Sequence, residues 1–121
     1  MKTGASGVST VGNLGRLWRV DLKTKEVVRV DLGGVSLVNA DGIVLRGQTL
    51  WVVQNFTRQI SRLALSGDFA SGRLVGFTAT PSDRTFTTAK LARGRLLLVD
   101  SQFGLPQPWE AEDRVVAMRL P

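Results

Sequence analysis

The stretch NADGIVLRGQTLWVVQNFTRQISRLAL, residues 39–65, reads as three short antiparallel strands in succession. Ile43 to Leu45 is an aliphatic run stopped by Gly47. Leu50 to Val53 is apolar at every position, as a strand covered on both faces must be. Ile60 to Leu65 mixes Ile60, Leu63 and Leu65 with Ser61 and Arg62, which predicts a strand with one solvated side.

Outward from this stretch the chain looks like partial copies of it. On the C-terminal side Ser66-Gly67-Asp68 makes a polar turn, Arg73 to Thr80 a fourth strand, and Pro81 closes it. From Thr85 the pattern restarts, and TFTTAKLARGRLLLVDSQF can be laid on VNADGIVLRGQTLWVVQNF. Arg46-Gly47 falls on Arg93-Gly94, an offset of 47 (93 − 46 = 47), and Leu50 to Val53 on Leu96 to Val99, an offset of 46 after one deletion. On the N-terminal side, Arg16 to Leu22 alternates Leu17, Arg19 and Asp21 against Trp18, Val20 and Leu22, and Glu26 to Leu32 gives a second strand ended by Gly33 and Gly34. The runs RLWRVDL, ISRLAL and VVAMRL share an alternating pattern and an aliphatic end. A period of this length, with buried inner strands before a more polar outer one, belongs to β-propeller blades.

The expected fold is therefore all-β, with about two and a half four-stranded antiparallel blades. Residues 1–14, rich in Gly, Ser and Thr, are expected to be a flexible arm. Residues 15–121 form the propeller segment: 15–34 the outer strands of a first blade, 35–81 a complete blade and 82–121 the last one. Gly104 to Asp113, with Pro106, Pro108 and Trp109, is a longer loop than its counterpart Asn55 to Gln59, as expected of a rim connection.

Composition narrows the chemistry. The 121 residues contain no cysteine and no histidine, which removes disulfides, thiolate metal sites, the usual general base and the commonest transition-metal ligand. The formal charge of +6 permits a polyanionic partner, but the basic residues are dispersed, and Arg84, Lys90, Arg93 and Arg95 make the one acid-free concentration. Nucleic acid is accordingly not the expected partner. Lys2 is followed by no apolar segment of the signal-peptide kind, and no apolar run reaches the ~20 residues that span a bilayer. The chain reads as soluble as given, with no membrane partner expected.

The residues NADGIVLRGQTLWVVQN, with the later RLLLVDSQFG and its Pro-containing loop, resemble the senescence-marker-protein/gluconolactonase-like group of six-bladed propellers, whose members are often exported. The resemblance covers Gly15 to Pro121 and implies the C-terminal half of such a propeller. In lactonase members a divalent cation sits at the channel mouth, so the resemblance implies Asp41, at an N-G-[IL]-like motif, and Asn55 and Asp100, at or near the end of the next strand, as candidate metal ligands. Oxygen donors of this kind suit calcium or another hard divalent cation. The next copy has Thr88 where Asp41 would recur. The bland reading of Asp41-Gly42 is a turn whose carboxylate bonds nearby backbone, and Asp100-Ser101 reads likewise. Some members carry a superoxide dismutase label, an activity that a chain without His or Cys is not built to support.

The functional expectation is a binding or structural scaffold. A metal-dependent lactonase-type hydrolase, with Asp41 and Asp100 holding the cation, is the first alternative, and a polyanion- or nucleic-acid-binding module the second; a small-molecule ligand fits either of the first two readings. Catalytic residues are not assigned. Two and a half blades leave apolar faces open, so either copies associate, as a trimer closing a six-bladed ring, or the earlier blades belong to a longer chain.

Overall fold

The computed structural model describes residues 6–11, 15–82, 84–100 and 114–121. Among these there is no helix, and the strands form three antiparallel sheets in which every neighbour in a sheet is also the neighbour in sequence. The first sheet is β1 (Ser6–Val11), β2 (Arg16–Asp21) and β3 (Val27–Arg29). The second is β4 (Ala40–Arg46), β5 (Thr49–Gln54), β6 (Gln59–Leu65) and β7 (Gly72–Ala79). The third is β8 (Phe86–Ala92), β9 (Arg95–Asp100) and β10 (Arg114–Arg119).

The second sheet is the middle layer. One face of β5, through Leu50 and Val52, joins Leu63 and Leu65 against Leu17, Val30 and Leu32 of the first sheet and its following segment. The other face, through Trp51 and Val53, joins Val44 and Ile60 against Phe86, Leu96 and Leu98 of the third. All four of Leu50 to Val53 are at most 5% exposed, so the continuous apolar run is the strand buried on both sides that its composition requires. β6 departs from expectation. Ser61 is 1% exposed and Arg62 only half-buried, because both faces of this strand meet a neighbouring sheet.

Cα atoms of β4 approach those of β1 and of β8 within 8 Å, closer than the ~10 Å of sheets stacked face to face. Neither β7 nor β10 approaches another sheet so closely. The layers thus converge at β4, and the segment after β3 also reaches the start of β7, where Gly72 N donates to Asp31 O at 2.8 Å.

Two expectations are corrected by the strand pairing. Residues 6–11 are not an arm: Ser6–Val11 pairs along its whole length with β2, from Ser6 opposite Asp21 to Val11 opposite Arg16. Val8, Thr10 and Val11 are β-branched, and an unpaired β2 edge satisfies their backbone, which outweighs the loop-like glycine and serine content. The rest of the expected arm, 1–5 and 12–14, lies outside the described residues, as does the Trp109 loop, 104–113. The second correction concerns the repeat. Leu50, Val52 and Gln54 correspond in register to Leu96, Leu98 and Asp100 at a constant offset of 46 (96 − 50 = 46), with no deletion. The shared Arg-Gly pair misleads because the two hairpins use different turns. Gly47 has φ 62 at the first turn position and Gln48 is not left-handed, whereas Arg93 (φ 51) and Gly94 (φ 75) both are. A II′ turn wants Gly first and a I′ turn accepts it second, so the glycine moves by one while the strands stay in register.

Candidate functional site

The expected ligands gather at the end of the stack where β4 and β8 begin. Here the strands carry matching irregularities: Ala40 pairs Gln54 and Ile43 pairs Val52, so Asp41 and Gly42 together oppose Val53. Phe86 pairs Asp100 and Ala89 pairs Leu98, so Thr87 and Thr88 together oppose Val99. Asp41-Gly42 is thus a β-bulge and not a turn; the turn falls one step earlier, at Val38-Asn39, where Asn39 takes φ 60. Bulges re-aim side chains at sheet ends, and this one leaves Asp41 exposed. With the constant offset, the residue recurring at the Asp41 position is Thr87, where the sequence alignment placed Thr88.

Asp41 and Asn55 are brought together, Asn55 Nδ2 donating to Asp41 Oδ2 at 3.2 Å. Asn55 Oδ1 accepts from the Phe56 amide at 2.6 Å, and Asn55 N donates to Asn39 O at 3.1 Å. Asn39 Nδ2 donates to Thr57 Oγ1 and that hydroxyl to Val38 O, both at 3.0 Å, so the 55–58 turn is sewn to the turn before β4.

Asp100 has a different setting. It is 2% exposed, Arg84 Nη1 lies 3.2 Å from its Oδ2, and the Thr85 amide donates to Oδ1 at 3.1 Å. Its carboxylate anchors the crossover that enters β8. The residue that plays this part in the second sheet is Gln54, which sequence reasoning passed over in favour of Asn55. Gln54 is 3% exposed, donates to Val38 O at 3.0 Å, and accepts from Gln59 Nε2 at 3.1 Å and from Ser61 Oγ. In both sheets a buried polar side chain at the end of the second strand holds the chain entering the first. The signal was present in the alternation: Gln54 shares the parity of Leu50 and Val52, and Asn55 does not.

As arranged, these groups do not make a cation site by themselves. A hard cation takes six or more oxygens. The Asn55 amide turns its N–H toward Asp41, and the Asp100 oxygens face Arg84 and an amide. The described residues contain no gathering of three or more His, Cys, Asp or Glu.

Beside this end lies an apolar cleft of about 260 Å³, lined by Ala79, Pro81, Phe86, Leu98, Val116 and Met118. Of the four basic residues singled out by charge, Arg84 stands apart from Lys90, Arg93 and Arg95, which lie toward the other end of β8. Arg84 is engaged by Asp100, while Arg93 and Arg95 stand at the far end of β8, whose seven residues extend ~23 Å at ~3.3 Å each. No helix in the described residues is long and apolar enough to cross a membrane. No family model matches the chain, and no curated protein matches it either.

Proposed function

We propose that the chain is a set of β-propeller blades of the senescence-marker-protein/gluconolactonase-like kind, acting as a binding or structural scaffold. One observation carries this reading: the second and third sheets repeat at a constant 46-residue offset, down to the bulge in their first strands and the buried polar anchor ending their second. A repeat that keeps its irregularities preserves a shared architecture. The hydrogen-bonded end of the stack supplies the loops that a scaffold offers to a partner, with Asp41 exposed among them, and the apolar cleft lies toward the outer strands, between the exit of β7 and β10.

Three assays separate this reading from its rivals. The scaffold should melt at the same temperature with and without millimolar calcium, leave simple lactones intact, and elute from heparin at low salt. Calcium-dependent lactone hydrolysis that disappears in Asp41→Ala would replace it with the hydrolase. Retention on heparin that weakens steeply with salt would replace it with the polyanion binder.

A further inference from the structure

We infer that the open face of the β8-β9-β10 sheet is an interface for the open face of the β1-β2-β3 sheet of a second copy, joined head to tail. The inference stands on burial at equivalent strand positions and makes no use of the polar end of the stack.

The equivalence is set by strand pairing. Gln54 pairs Gln59 and Asp100 pairs Arg114, so the residue after each, Ile60 and Val115, holds the same place in its sheet. Aligning RLWRVDL to these strands on their final leucines puts Leu17 at that place too. Leu17 faces the second sheet and Ile60 faces the third, and both are 0% exposed. Val115 faces away from the second sheet, where no sheet packs among the described residues, and is 69% exposed. The apolar side chain is the same kind in all three positions. What differs is whether a next sheet covers it.

The opposite face shows the converse. Leu65, which meets the first sheet, is 5% exposed, while its counterpart Leu22 meets no further sheet among the described residues and is 50% exposed. Val27, opposite Val20 on that same open face, is 56% exposed. On the third sheet Leu97 and Val99 flank Val115 and Ala117 across the β9–β10 pair. Among the described residues no sheet packs on the far face of the third sheet or on the far face of the first, and each of these open faces is of the type that the other covers inside the chain. Faces that match in this order join heterologously, copy to copy. The contact is face to face.

Charge modulates the contact. By strand alternation Arg16 and Arg29 share the open face of the first sheet with Trp18, while Lys90, Arg95 and Arg119 share that of the third with Leu97. These basic groups repel across the join, and salt screens the repulsion. Association driven by apolar burial should therefore strengthen as salt is raised.

Sedimentation of the full chain over a range of micromolar concentrations, at low and high salt, tests this. The wild type should exceed its 13.1 kDa monomer mass, more so at high salt. Val115→Asp and Leu22→Asp each place a charge on one open face without touching the core, and each alone should sediment as a monomer with an unchanged circular dichroism spectrum. An equimolar mixture of the two leaves one unmodified pair of faces and should give a heterodimer. A wild type that stays monomeric, a Val115→Asp chain that associates like the wild type, or a mixture that stays monomeric would each overturn the inference.

Discussion

Gly42 lies so close to β8 that a Cβ placed on it would stand 2.6 Å from Thr88 Cα and 2.9 Å from Thr87 O. The contact joins the two bulges, and the atoms it would strike are backbone, which cannot swing aside. Gly42→Ala should therefore force the second and third sheets apart and lower stability by ~1–3 kcal/mol. Gly76, with nothing within 4 Å of its Cβ position, is the control: Gly76→Ala should leave the melting temperature nearly unchanged. Thermal melts of both variants check the pair.

Ile60 and Val115 give a second contrast. Ile60→Ala empties a site that is fully enclosed between sheets and should cost ~2–5 kcal/mol. Val115→Ala, at the equivalent but open position, should cost under ~0.5 kcal/mol in the isolated chain. Denaturant melts at a concentration low enough to keep the chain monomeric distinguish the two.

The repeat was visible in the sequence because apolar strands and their spacing are set by burial, which the hydrophobic pattern records directly. Leu50 to Val53 announced a strand with two covered faces, and the final leucines of two outer strands, Leu65 and Leu120, fell in true register. The irregular parts were less legible. Bulges and turn types depend on backbone angles that Gly satisfies in more than one position, so Arg46-Gly47 attracted Arg93-Gly94 and shifted the Asp41 counterpart by one residue. Gln54 was hidden for another reason: a polar residue at a strand end looks like the start of a loop, and only the hydrogen bonds to Val38, Gln59 and Ser61 make its burial affordable. β1 was illegible because its glycine and serine content masks Val8, Thr10 and Val11, and because the β2 edge it pairs with is not written in its own composition.

Removing the Asp100 carboxylate should loosen the entry to β8. Asp100→Ala leaves the Thr85 amide without its acceptor and Arg84 without its partner. Because Arg84 remains a third exposed, water can compensate part of the loss, and ~1–3 kcal/mol is expected. Hydrogen exchange should show the increase in amide opening concentrated at Thr85 and Phe86.

Two turn carboxylates contribute to the acid response. The Thr24 amide first, then that of Lys23, holds the Asp21 carboxyl below its ordinary value of 3.8, and the Ser66 hydroxyl, then the Ala70 amide, does the same for Asp68. A lowered folded value means the stabilisation is fully present above pH 3.8 and disappears as pH falls through the lowered values. Replacing both residues with Asn should flatten the melting temperature against pH in that acid window and leave it pH-independent to the same degree as before near neutrality. An unchanged slope below pH 3.8 would show that other carboxylates control it.

Every strand in the three sheets pairs only with the strand made just before or just after it. A chain leaving the ribosome can therefore finish each sheet before the next one emerges, and no strand has to wait, uncovered, for a distant partner. Closing such short loops takes far less time than searching for remote contacts. The slow event is then the docking of completed sheets through Leu17, Leu50 and Trp51. Aggregation during synthesis should then depend on how long the Trp51 face of the second sheet stays wet before residues 86–100 arrive to cover it.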